Sequence, residues 1–110
     1  MAFVIASNIQ GPLPQSIPFT SPVVGPATVA ISATAWTKSP GNVIGVVAIL
    51  NGVKIGVLQL MTNQGSVHLT LPTGFFNADI ESMQCTLMLV PTDQNTVTDQ
   101  NDFFSAVILT

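Results

Sequence analysis

Apolar and polar residues alternate with a period of two along most of this chain, in short runs closed by glycine or proline. No stretch longer than a turn or two repeats at the helical period, so an all-β chain is expected. Residues 2–7 read as a first strand. Residues 8–26 carry Pro12, Pro14, Pro18, Pro22 and Pro26. Proline lacks the N–H that a helix interior or a central strand needs, so this stretch is expected to be an extended edge or a wrapping arm, with Ile17 and Phe19 plugged onto the core. Residues 27–36 alternate cleanly: Val29, Ile31, Ala33 and Ala35 share one face, and Thr28, Ala30, Ser32, Thr34 and Trp36 share the other. Residues 38–42 read as a turn.

The strongest local signal is a hairpin over residues 42–61. Asn51-Gly52 lies between two apolar runs, the preferred pair for a two-residue type I′ turn with positive φ at both positions. Counted out from that turn, Leu50 opposes Val53, Ala48 opposes Ile55, Val46 opposes Val57 and Ile44 opposes Gln59. Val43, Gly45, Val47, Ile49, Lys54, Gly56, Leu58 and Leu60 then fall on the second face. Both faces are largely apolar, whereas a sheet with one wet face should alternate. The second face is therefore expected to be covered, by the proline-rich arm or by another subunit.

Beyond the hairpin, residues 67–71 form a short strand with Val67, Leu69 and Leu71 inward and His68 and Thr70 outward. Phe75-Phe76 leads into an expected loop over residues 77–81. Residues 84–90 form a strand with Cys85, Leu87 and Leu89 on one face. Residues 91–102 are a polar, acidic loop, and residues 103–109 form the last strand. Short strands at this spacing imply a single domain spanning 1–110, an all-β, jelly-roll-like antiparallel β-sandwich with a proline-rich N-terminal arm over 8–26.

Charge narrows the partners. Only 6% of residues are charged, against roughly 25% in ordinary soluble domains. Lys38 and Lys54 are the only basic side chains besides His68. Nucleic acid is excluded as a partner, because phosphate binding needs clustered Lys or Arg. Membrane insertion is not expected, since no apolar run approaches the ~18 residues of a spanning helix. Residues 2–6 are too short for the apolar core of a signal peptide, so the expectation is a cytoplasmic protein or one exported without a cleaved N-terminal signal. A surface of Ser, Thr, Asn and Gln costs little to desolvate and suits burial against a second subunit.

Reactive groups are few. Cys85 is the only cysteine and lies mid-strand among leucines, the setting of an inert core thiol. His68 reads as exposed or interfacial; a hydrolase built on it would need an acid and a nucleophile to converge. One His and one Cys make zinc improbable. No phosphate-binding or nucleophile-elbow motif occurs. The remaining cluster is residues 92–102, with Asp93, Asp99 and Asp102 among Asn95, Thr96 and Asn101. It supports two readings, a solvated turn rich in Asx residues, or a cation and sugar site. In the second, Asp93, Asp99 and Asp102 would ligate calcium, and Asn95, Thr96, Asn101 and Trp36 would contact a ligand.

Residues 101–109, NDFFSAVIL, resemble the closing strand of tumour-necrosis-factor and C1q-type jelly rolls, where an aromatic, a small residue and aliphatics end the domain. Thr34-Ala-Trp36, the hairpin at Asn51-Gly52 and the late Asx-rich loop are similar in order to the elements of small bacterial calcium-dependent galactose-binding lectins. The first resemblance implies trimeric assembly. The second implies calcium and sugar binding in the loop that holds Asp93, Thr96, Asp99 and Asn101. Two functional expectations follow. One is a non-catalytic module that self-associates, as a trimer, in assembly or adhesion, with no cofactor. The other is a calcium-dependent glycan-binding lectin using the 92–102 loop.

Overall fold

The computed structural model describes all residues, 1–110. Nine strands follow in order: β1 (Ala2–Gln10), β2 (Gln15–Thr20), β3 (Gly25–Ala35), β4 (Val43–Leu50), β5 (Val53–Met61), β6 (Leu69–Thr70), β7 (Gly74–Ile80), β8 (Gln84–Pro91) and β9 (Phe103–Leu109). They form two antiparallel sheets packed face to face. One runs β1-β9-β3-β6, with β7 also paired to β3; the other runs β2-β8-β4-β5.

The core lies between the sheets and follows the period-two pattern. Val29, Ile31, Ala33 and Ala35 of β3 and Phe104, Ala106 and Ile108 of β9 face Ile44, Val46, Ala48 and Leu50 of β4 and Cys85, Leu87 and Leu89 of β8, all buried. Fully burying one such side chain is worth about 1.5–3 kcal/mol, so this cluster carries most of the fold's stability. Residues 15–20 of the proline-rich stretch form an edge strand on β8, and Ile17 and Phe19 pack against the core. Pro18 is tolerated there because an edge strand needs only half of its backbone groups.

Two sequence expectations need correction. Asn51 and Gly52 take the turn positions with φ of 51° and 83°, but the register slips one residue beyond Ile49. Leu50 pairs with Val53 and Ile49 with Lys54; after a bulge at Ile55, Ala48 pairs with Gly56, Val46 with Leu58 and Ile44 with Leu60. The bulge turns Leu58 and Leu60 toward the core and Val57 and Gln59 outward. Strict alternation from the turn would have placed a glutamine inside. The stretch 77–81 is also not a loop. Residues 74–80 form β7, paired with β3 from Gly25↔Ile80 to Ile31↔Gly74. The ring of Phe76 lies directly on Gly56 and Gly74, which leave room for it.

Candidate functional site

The loop joining β8 to β9, residues 92–102, crosses the end of the sandwich where β3 finishes. Its first half rests on β4. Thr92 N donates to Gly45 O (3.0 Å), and Gly45 N donates to the hydroxyl of Thr96 (2.9 Å). Gly45 is required: a Cβ there would lie 2.9 Å from the Thr92 methyl and 2.5 Å from Leu58 O. The loop then pairs with the end of β3 through Trp36 N to Val97 O (2.9 Å) and Val97 N to Trp36 O (2.8 Å). Thr98 Oγ1 accepts Leu13 N at 2.8 Å, which ties the loop to the chain entering β2.

The second half folds into the site. Asp102 is buried at 2% exposure, and its carboxylate is fully engaged. Oδ1 accepts the Thr34 hydroxyl (2.8 Å) and His68 Nδ1 (2.8 Å), and Oδ2 accepts Asp99 N (2.9 Å). Thr34 Oγ1 in turn accepts Phe103 N (3.1 Å). A carboxylate that accepts from His68 Nδ1 puts the proton on that nitrogen and leaves Nε2 facing outward. Nε2 stands 3.9 Å from Asp99 Oδ2. The hydrogen bond to Asp102, reinforced by the charges of Asp102 and Asp99 against a small opposing desolvation, raises the His68 pKa above its ordinary value. The other Asp99 oxygen accepts Asn101 N (2.8 Å).

Trp36 completes the group. The pairing of Ala35 with Leu69 sets Trp36 beside His68, with ring centroids 5.8 Å apart and planes tilted by 50°. Trp36 is half-buried, and its Nε1 is the one buried side-chain nitrogen or oxygen without a hydrogen-bond partner.

The residues expected from sequence therefore separate. Trp36, Asp99 and Asp102 come together, with the Asn101 side chain exposed beside them. Asp93 joins no cluster of three potential metal ligands; its carboxylate accepts Asn95 N (2.9 Å). Asn95 borders a shallow cleft with Lys38, Asn42 and Gln94. Thr96 is buried, with its hydroxyl committed to Gly45 and Thr92. His68 takes the third place instead: one ligand atom from each of His68, Asp99 and Asp102 lies within 4.8 Å of the others. Sequence reasoning missed His68 as a partner of the loop. Its off-core position on a short strand was legible, but the β3–β6 pairing that delivers it was not.

Chemically, an Asp102–His68 couple supplies two of the three members of a nucleophilic triad. Nε2 faces a carboxylate, however, and the Thr34 hydroxyl is already bonded to Asp102 and Phe103. Cys85 is buried on β8, with its thiol donating to Ser82 O (3.2 Å). The largest concavity, about 590 Å³, lies at the far end of β3 among Pro26, Thr28, Asn77 and Asp79, away from this cluster.

No family model matches the chain, and no curated protein matches its sequence. Solved structures do match its fold. The sugar-binding C-terminal domain of EclA aligns over 99% of this chain and 77% of its own, with 17% identity and a TM-score of 0.54. Carbohydrate-binding module CBM36, in complex with calcium and xylotriose, aligns over 99% of both chains with 8% identity and a TM-score of 0.56. Dimeric latent PorU from Porphyromonas gingivalis aligns over 96% of this chain, which spans only 11% of PorU, with 11% identity and a TM-score of 0.63. The chain is a jelly-roll β-sandwich, as its strand pattern implied.

Proposed function

We propose that this domain is a non-catalytic sugar-binding module whose contact surface is the Trp36–His68 pair with Asp99 at the end of the sandwich. One observation carries the reading: two aromatic rings sit side by side next to a carboxylate oxygen, Asp99 Oδ2, that accepts no hydrogen bond from the chain. The C–H face of a pyranose packs on such rings, while its hydroxyls bond to carboxylates and amides. The sugar-binding domains of the same fold support this choice over catalysis.

Calcium fits these residues poorly. It seeks six to eight oxygens, whereas Asp102 is buried and already accepts from three donors, Asp93 lies apart and the remaining member is an imidazole. A cation here would rest on Asp99, with water and sugar hydroxyls supplying the other ligands.

The test is a glycan array followed by titration calorimetry of the best ligands in calcium and in EDTA. Binding that survives EDTA and falls at least about tenfold in Asp99→Ala is expected, the loss of one charged hydrogen bond. A blank array together with no heat from any oligosaccharide would remove the reading.

Self-association is the second reading. It is favoured by the apolar outer positions of β4, which the proline-rich stretch leaves uncovered by pairing at the sheet edge. Neither assembly nor adhesion needs the site at Trp36.

A further inference from the structure

The outer faces of the two sheets differ in kind. On β3 the outward positions include Thr28 and Ser32, both partly exposed, and Thr34, buried under the 92–102 loop, the alternation of a polar outer face. On β4 they are Val43, Val47 and Ile49. Their cross-strand partners are Met61, Val57 and Lys54 on β5, and Val90 and Met88 (opposite Val47 and Ile49) on β8. Met88, Ile49, Val90, Val47 and Val57 thus form one patch, and Val43 and Met61 form a second beyond Gly45, over which the Thr92 methyl and Gln59 lie. Val43, Met61 and Met88 are exposed at 41%, 61% and 36%. The four strands of this sheet contain a single charged residue, Lys54.

We infer that a second copy of this chain covers this face, packing the two β2-β8-β4-β5 sheets against each other about a two-fold axis. The inference rests on the self-association reading and names its surface; a two-fold pair replaces the trimer that the jelly-roll resemblance implies. Area supports it. Four strands about 4.8 Å apart, each contributing about seven residues, present roughly 450 Å² of flat face. Two copies would bury on the order of 900–1,000 Å², at the lower bound for a specific interface, so a weak dimer is expected. The patch is also self-complementary. An axis in the interface plane, crossing the strands at Val47, sets Val47 over Val47 and lays Ile49 and Met88 of one copy over Gly45 and Thr92 of the other, large side chains over small ones. Lys54 of each copy then lies over Gln59 of the other on the edge strand β5, from whose open side its ammonium reaches solvent, and no charge is buried. A partner chosen by charge would find one cation and no anion on these strands.

Analytical ultracentrifugation from about 10 to 500 µM tests this, the range in which an interface of this size associates. Wild type, Val47→Asp at the axis, Met61→Glu at the periphery and Phe75→Ser on the opposite sheet are compared, with melting curves to establish folding. Concentration-dependent dimerisation is expected, weakened at least about tenfold by Val47→Asp and by Met61→Glu and unchanged in Phe75→Ser. Should Val47→Asp fail to fold, Met61→Glu decides. In a Cys85→Ala background, Val47→Cys should be joined into a dimer by a thiol crosslinker of about 10 Å reach, the spacing of sheets packed face to face. A wild type that stays at 11.5 kDa throughout overturns both the face and the self-association reading. Association lost in Phe75→Ser but retained in Val47→Asp or Met61→Glu leaves self-association standing and overturns this face.

Discussion

Residues 92–96 and 99–102 draw on the same small set of acids, amides and hydroxyls, yet the sandwich treats them in opposite ways. In the first half the polar atoms hold the loop to itself and to β4: Thr96 caps Gly45 N, and Asp93 closes a turn on Asn95. In the second half one acid, Asp102, is drawn under the end of β3 by Thr34 and His68, and its neighbour Asp99 is left at the surface with an oxygen to offer. Composition sets which atoms can bond. The strand lying beneath each half decides whether those bonds are used up.

Removing Asp102 should break the second half most severely. Asp102→Ala strands the Thr34 hydroxyl and Asp99 N in a buried site and frees His68, so a loss of roughly 2–4 kcal/mol in urea unfolding is expected. A cost below about 1 kcal/mol would mean that water serves those donors and that the site is open. On the other side of the comparison, Thr96→Val keeps the side-chain shape but leaves Gly45 N without its acceptor. About 1–2 kcal/mol should be lost, with the proposed sugar binding at Trp36 and Asp99 unchanged. A change in binding equal to the change in stability would show that the two halves act as one unit.

The smallest effect is electrostatic. Because the His68 pKa is raised in the folded state, its stabilising contribution is fully present below the unfolded value of 6.5 and is lost as pH rises through the folded value above it. Half-exposure keeps this contribution small. Melting temperature should therefore decline slightly as pH rises above 6.5, and His68→Gln should flatten that decline. An unchanged slope in the variant would place the titration elsewhere.

Much of this was legible before folding. The alternation of Val29, Ile31 and Ala33 marked β3 as a strand with one buried face, and Asn51-Gly52 marked the turn between β4 and β5, because both signals depend only on neighbouring residues. The register of β5 did not follow from the turn. The bulge at Ile55 is selected by the benefit of seating Leu58 and Leu60 in a core that other strands supply. β7 was hidden for a similar reason: Asn77 and Asp79 have weak strand preference on their own and are held by pairing with β3.

The sequence by itself determined an all-β sandwich, low in charge, with its one thiol in the core and an acidic loop near its end. It also determined that one hairpin would be apolar on both faces. Only the tertiary structure decided which acids matter. Asp93 and Asp102 are equal as letters, but β3 and β6 pair beneath one of them and bring Thr34, Trp36 and His68 to the same place. Contacts between residues 34 and 102, or 68 and 102, depend on which strands meet across the chain, and period and composition carry no record of that.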